Sequence, residues 1–265
     1  MTLTRFVNIL GVRIAALDYQ RAIDAVERFI GDGRTHYACF SNVHVVTESQ
    51  FDHQLKTAVN AADLALPDGM PLAWIANFEG HRLPGRVCGP EFMTRFCAAT
   101  AGHGYRHYFF GGAPGVAEEL AARLQHTYPG LTVVGAESPP FRPLSEDEEL
   151  ELAARLNDRV DVLWVGLGCP KQEKWMHAHR HLRVGVMLGV GAAFDFHTGR
   201  VNQAPLWMQQ RGLEWLYRLS QEPRRLWRRY LILNPLFILF YLGQRLKLRK
   251  YEVTVAGAPG QYRER

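Results

Sequence analysis

A chain of 265 residues, 47% apolar and 22% charged, has the composition of an ordinary globular protein and can bury a sizeable core as one large or two small domains. Its four cysteines, Cys39, Cys88, Cys97 and Cys169, show neither metal-ligand nor redox spacing, which points to a reducing compartment and away from zinc or disulfides. The net charge of +5 hides an asymmetry: ten basic residues face two acidic ones between Pro205 and Lys250, so a mildly acidic body precedes a basic tail.

In chain order, Phe6 to Leu17 alternates enough for one or two strands, and Asp18 can cap a helix running to about Ile30. His36 to Phe40 reads as a strand that opens through Ser41-Asn42 into a helix of about fifteen residues. Ala62 to Leu66 is a short strand ending in Pro67-Asp68-Gly69. A helix from Pro71 to Phe78, a turn-rich stretch from Gly80 to Gly89 and a helix from Pro90 to Ala101 follow. Strands near Tyr105, Leu131, Val162 and Val184 then alternate with helices from Pro114, Ser145 and Pro170. That alternation predicts an α/β fold with a Rossmann-like parallel sheet covered by helices on both faces. Residues 1–204 form this core, 205–250 a basic helical appendage and 251–265 a flexible tail. No leader for export is recognisable at the start.

Three apolar runs empty into glycine loops: His107 to Phe110 into Gly111-Gly112, Val162 to Val165 into Gly166-Leu167-Gly168-Cys169-Pro170, and Val184 to Leu188 into Gly189-Val190-Gly191-Ala192. Such loops lie along one edge of a parallel sheet, where ligands of open α/β sheets bind. Any one of them also has a purely structural reading, because strand-to-helix turns use glycine for geometry. None matches the P-loop or the dinucleotide fingerprint. Lys171, Gln172 and Glu173 fall at a helix start, where free N–H groups favour an anion, so they are placed to hold a phosphorylated substrate.

The run Glu146 to Glu149 follows Ser145 and reads as a capping arrangement rather than a metal site. His177, His179 and His181 alternate on a helix whose period is not two, so they cannot converge on one ion. In the tail, Leu231 to Leu242 is almost wholly apolar, too short to span a bilayer, and bracketed by arginines and lysines with Trp227, Tyr230 and Tyr241 near its edges. A helix lying in an anionic membrane interface fits this pattern. A buried core or dimer helix with a solvated basic face is the other reading. Nucleic acid is not expected, since no recognition helix or aromatic-basic sheet motif accompanies the charge. The tail reads as a compact terminal unit whose removal leaves the body folded.

Asp68 places a carboxylate at the end of an apolar strand, where it can act as a general base, although Asp-Gly is also a common turn pair. Arg86, in the turn-rich segment, can grip a phosphate bidentately or serve as a solvated loop charge.

Taken together, Leu66-Pro67-Asp68-Gly69-Met70, Arg86-Val87-Cys88-Gly89-Pro90, Gly168-Cys169-Pro170-Lys171-Gln172-Glu173, Gly189-Val190-Gly191-Ala192-Ala193-Phe194-Asp195 and Leu213-Glu214-Trp215-Leu216-Tyr217-Arg218-Leu219 resemble the WecG/TagA/CpsF glycosyltransferases, in order from about Phe6 to Leu242. The resemblance implies a metal-independent, cofactor-free inverting enzyme of bacterial surface-polymer assembly. It implies transfer of a hexose, N-acetylmannosamine in the best-studied members, from a UDP-sugar to an undecaprenyl-diphosphate-linked sugar. It further implies a core that forms a homo-oligomer and an appendage that touches the cytoplasmic face of the inner membrane. Carried over by position, the base falls on Asp68, the phosphate-proximal arginine on Arg86 and the active-site glutamine on Gln172. The appendage arginines over the diphosphate fall on Arg218, Arg225 and Arg228, and a nucleotide-associated position falls on Asp195. Asn42 matches the first site loop, but Phe40 stands where the family often has a threonine, which leaves the acceptor sugar open. Gly111, Gly112 and Lys171 complete the expected substrate contacts. A UDP-glucose-dependent relative of exopolysaccharide assembly and a non-catalytic nucleotide-sugar-binding scaffold are the rival readings.

Overall fold

The structure, a computed structural model, describes residues 4–254. A β-hairpin of β1 (Phe6–Ile9) and β2 (Val12–Ala15) opens the chain, turning at Leu10-Gly11. Helix α1 (Tyr19–Ile30) follows, and the Asp18 side chain accepts from the Arg21 amide as its cap.

The six sheet strands are β3 (His36–Ser41), β4 (Leu64–Pro67), β5 (Arg106–Gly111), β6 (Thr132–Glu137), β7 (Val162–Gly166) and β8 (Val186–Gly189). They pair in the order β4-β3-β8-β7-β5-β6, all parallel, which is the expected architecture. Alternate residues divide the core between the two faces of the sheet. Ala38, Phe40, Val162 and Trp164 join one cluster with α1, α5 (Gly89–Thr100) and α6 (Val116–Thr127). Tyr37, Cys39, Leu163 and Val165 join the other with α7 (Glu146–Leu156) and α8 (Lys171–Ala178). Helix α7 starts on a Ser145–Glu148 capping box, as its sequence indicates.

The helix expected after Asn42 is two helices, α2 (Val43–Glu48) and α3 (His53–Asn60). The break has a local cause: the Ser49 hydroxyl donates back to the Val45 carbonyl, and the Asp52 side chain caps a new start at the Leu55 amide. Helix α4 (Met70–Phe78) then follows β4, and α9 (Ala193–His197) follows β8.

The basic tail forms α10 (Leu206–Gln210), α11 (Glu214–Gln221), α12 (Pro223–Trp227), a π turn over Arg228–Ile232 and α13 (Leu233–Arg245). It packs against the body. Phe237 on α13 is 5% exposed and lies in a cluster with Ile9, Leu10, Val45 and Val46. The Gln244 side chain accepts from the Leu10 amide at 2.8 Å and donates to the Asn8 carbonyl at 3.0 Å. Tyr251 is buried as well, and its carbonyl accepts from Asn8 Nδ2, so the flexible tail expected from 251 does not begin there. Residues 255–265 of that expected tail lie outside the described residues. The apolar stretch divides by face: Phe237, Phe240 and Tyr241 pack inward, whereas Leu231, Ile232, Ile238, Leu239 and Leu242 are exposed. Among the described residues, no helix is long and apolar enough to cross a membrane.

Candidate active site

The carboxyl ends of the strands bring the expected loops to one edge. After β5 the chain moves outward to β6, and after β7 it moves the other way to β8, which puts the topological switch point between β5 and β7. Gly111 and Gly112 stand there for a backbone reason. At Gly111, with φ of +145°, an added Cβ would lie 2.6 Å from the Gly166 backbone, and the Gly112 amide donates to the Gly166 carbonyl at 3.0 Å. Glycine is therefore required to close two strands together, whatever ligand approaches.

Asp68 leaves β4 beside Asn42, which leaves β3. The Asp68 amide extends the strand ladder to the Ser41 carbonyl, and Asn42 Nδ2 donates to Asp68 Oδ2 at 3.1 Å. Asn42 does a second job, since its Oδ1 accepts from the amides of His44 and Val45 and so caps α2. An added Cβ at Gly69 would stand 3.4 Å from Asn42 Cβ, so the Asp68-Gly69 turn lies directly against the Asn42 loop. Asp68 as a residue is half-buried, but its carboxylate is enclosed. Burial pushes its pKa above the usual 3.8, against the opposing pull of the Arg86 guanidinium, the Asn42 amide and the Gly89 N–H.

Arg86 is withdrawn from solvent and engaged by the tail. One guanidinium nitrogen pairs with Glu214 at 2.5 Å and another donates to Gln209 at 3.0 Å. Two appendage side chains thus hold the arginine that faces Asp68. Gly212, between α10 and α11, packs so closely on α4 that an added Cβ would lie 2.9 Å from the Trp74 ring. The appendage therefore roofs the Asp68 loop.

At the start of α8, Gln172 is 4% exposed and Glu173 is fully buried. Gln172 Nε2 donates to the Gly189 carbonyl and to Glu173 Oε1, and its Oε1 accepts from the Gly168 amide. Gln172 thereby ties together the loops after β7 and β8. Burial raises the Glu173 pKa. The expectation that these residues hold a phosphate is corrected for Glu173, whose enclosed carboxyl cannot attract an anion. Lys171 is exposed at the helix start.

Asp195 sits half-buried on α9, one residue before Phe196, over whose ring the Arg218 guanidinium lies at 5.4 Å. Arg218 forms an ion pair with Glu222 at 3.6 Å and keeps a buried Nε without a partner. Arg225 and Arg228 point outward instead: Arg225 pairs with Glu222 at 2.7 Å and is 68% exposed, and Arg228 covers Trp227. The structure thus brings Asn42, Asp68, Arg86, Gln172, Asp195 and Arg218 to one edge and leaves Arg225 and Arg228 on the surface. Phe40 faces the core, 5.2 Å from the Phe92 ring, so the position next to the first loop contributes packing rather than a hydroxyl.

Three further residues carried no signal of their own in the sequence, and Glu214 entered only as part of the Leu213–Leu219 motif. Gln209 and Glu214 are placed by the fold of the tail, His44 by the capped start of α2, and Arg229 by the π turn. Sequence spacing could not separate Arg228 from Arg229, because which of two adjacent residues faces inward depends on the local helix pitch.

The match to known proteins follows this geometry. Residues 7–251 fit the model of the glycosyl transferase WecG/TagA/CpsF family. The chain belongs to that family. Two N-acetylglucosaminyldiphosphoundecaprenol N-acetyl-beta-D-mannosaminyltransferases are among its relatives. The one from Bacillus spizizenii is 29% identical over 205 residues, covering 77% of each chain. The one from Bacillus subtilis is 28% identical over 181 residues, covering 68% of this chain and 69% of its own. As a WecG/TagA/CpsF member the chain is a glycosyltransferase. The family match spans core and appendage together, in keeping with an appendage that supplies two partners of Arg86.

Proposed function

We propose that this chain is an inverting transferase that moves a hexose from a UDP-sugar to a sugar carried on undecaprenyl diphosphate, in assembly of a bacterial surface polysaccharide or teichoic acid. N-acetylmannosamine is the expected hexose, as the names of the two Bacillus relatives say of those proteins. The observation that carries the reading is the enclosed Asp68 carboxylate, held by Asn42 and facing Arg86 beneath the appendage.

In this reading Asp68 removes the proton from the acceptor hydroxyl as its oxygen attacks the anomeric carbon. The bond to the diphosphate breaks on the opposite face, and UDP departs with the electron pair. A base whose pKa is raised by burial accepts that proton better than an ordinary carboxylate. Arg86 and Arg218 supply positive charge for the leaving diphosphate, so no metal is called for. Gln172 fixes the two loops that bound the sugar, Asn42 orients the base, and Asp195 with the Gly111-Gly112 loop shapes the nucleotide end. Lys171 borders the cleft from the solvent side.

The outward face of α13, with Trp227 and the exposed Arg225 and Arg228, rests on the anionic cytoplasmic leaflet as a peripheral contact. There those arginines meet the acceptor's diphosphate. The deciding experiment is a screen of UDP-sugars for UDP release with a short-chain polyprenyl-diphosphate N-acetylglucosamine acceptor. UDP-N-acetylmannosamine should be the donor consumed. Use of UDP-glucose alone would assign the chain to exopolysaccharide hexose transfer, and UDP binding without turnover on any donor would make it a scaffold.

A further inference from the structure

Besides the Asp68 region, a second set of polar groups meets at the same edge and is left without partners. Among the described residues, Ser41 Oγ, His44 Nδ1, Glu173 Oε2 and Arg229 Nε are buried side-chain atoms with no hydrogen bond. Such atoms each carry a desolvation penalty unless a ligand or water completes them. They come from different elements. Ser41 ends β3, His44 starts α2, Glu173 starts α8, and Arg229 belongs to the appendage.

The packing brings His44, Glu173 and Arg229 together. Helix α13 lies on α2, and Val43, Val45, Val46 and Cys169 share a cluster with Phe237, Phe240 and Tyr241. The π turn at the head of α13 closes with the Leu233 amide donating to the Arg228 carbonyl, a wider spacing than in an α-helix. This change of pitch sets Arg229 inward while Arg228 stays over Trp227 at the surface. Arg229 is close enough to His44, Cys169 and Glu173 for its charge to act on all three. Both His44 and Arg229 are only half-buried, so solvent reaches them.

We propose that Arg229 and His44 form a diphosphate-binding pair, distinct from the Asp68–Arg86 pair and filled by the diphosphate of one of the two substrates. The chemistry of the pair selects that ligand. Arg229 offers N–H donors and a fixed charge, its Nε has no hydrogen-bond partner, and the Glu173 carboxyl beside it is engaged by Gln172 through Oε1 alone. His44 stays neutral in the cleft, its pKa pushed down to about 3 by burial and by Arg229, and a neutral imidazole can donate from Nδ1 to a phosphate oxygen. The inference rests on the transferase reading only in taking its two diphosphates, UDP and polyprenyl diphosphate, as candidates.

The test is calorimetric titration of the full chain with UDP, with uridine and with farnesyl diphosphate, on wild type, Arg229→Gln, Arg229→Lys, His44→Ala and, as a control at an exposed arginine paired with Asp158, Arg183→Ala. Arg229→Gln should weaken one diphosphate at least tenfold, His44→Ala should weaken the same one, and Arg229→Lys should fall between. Uridine, which lacks phosphate, should bind all variants alike, and Arg183→Ala should match wild type for every ligand. Loss confined to UDP places the pair on the donor, and loss confined to farnesyl diphosphate places it on the acceptor. If Arg229→Gln binds both diphosphates as tightly as wild type, the pair is overturned while the transferase reading stands. If wild type binds farnesyl diphosphate but not UDP, and Arg229→Gln loses it, the UDP reading fails and the pair remains. Equal weakening of uridine and UDP by Arg229→Gln would mark Arg229 as a packing residue and overturn the proposal.

Discussion

Replacing Asp68 by Asn changes one atom's chemistry in the centre of the proposed site and almost nothing in its shape. The amide matches the carboxylate in size, and its oxygen can still accept from Asn42 Nδ2, now 3.1 Å from Asp68 Oδ2. Arg86 keeps its pairing with Glu214 and Gln209. The stability change can be signed from the pKa. The folded-state value lies above 3.8, chiefly through burial, so the protonated form is the one the fold favours. Its stabilising contribution is complete below the unfolded value and is lost as pH rises through the folded value, where the enclosed group must ionise. Asn is neutral at every pH, so at pH 7 the variant should melt no lower than wild type.

Activity should behave in the opposite way. Loss of a general base costs about 10²–10⁴-fold, or about 3–5 kcal/mol of barrier. In wild type, kcat/KM should rise with pH through an apparent pKa above the usual carboxylate value, and Asp68→Asn should lack that limb. UDP release from a water-soluble acceptor, followed between about pH 4 and 8 alongside thermal unfolding, reads both quantities. A variant that keeps activity within tenfold of wild type, or that melts several degrees lower with no specific rate loss, would make Asp68 a turn residue and end the base assignment.

Turnover should persist in excess EDTA, because among the described residues no three His, Cys, Asp or Glu side chains cluster as a metal site and the diphosphate is left to arginines; restoration by magnesium after EDTA inhibition would refute this. Arg86→Ala should raise KM for the donor more than Arg86→Lys, since only the guanidinium can hold Glu214 and Gln209 while facing a phosphate. Deleting the chain from Glu222 onward should abolish sedimentation with anionic vesicles, which in the intact chain should weaken steeply with salt. The same deletion should lower the melting temperature of the body, because it uncovers Val45, Val46 and Leu10 around Phe237; an unchanged melt would mean that α13 is not docked as described. Gly111→Ala should destabilise by at least about 2 kcal/mol in denaturant unfolding, from its positive φ and the 2.6 Å approach to Gly166, and a neutral result would show that β5 and β7 separate easily there.

Much of the fold was legible because its signals are local. Apolar runs ending in glycine, Asp18 and Ser145 at helix starts, and the strict strand–helix alternation gave the parallel sheet and placed Asn42 and Asp68 at strand ends and Gln172 at a helix start. The ordered motifs gave the family. Side-chain alternation within β3 and β7 is likewise a local property, and it divides the core between the two sheet faces. The break between α2 and α3 was missed because Ser49 and Asp52 compete with the helix through hydrogen bonds that periodicity does not register.

What only the tertiary structure decided is which side chains meet. The sequence brings Arg86 near no partner, yet Glu214 and Gln209, more than a hundred residues away, hold it. The basic tail reads as a terminal attachment, but Phe237, Gln244 and Tyr251 build it into the hairpin and α2. Of five clustered arginines in the tail, Arg218, Arg224, Arg225, Arg228 and Arg229, composition assigns the same charge to each. The choice of Arg218 and Arg229 as inward comes from helix packing and one π turn. Pitch and docking depend on contacts far apart in the chain, and no pattern of neighbouring residues carries them.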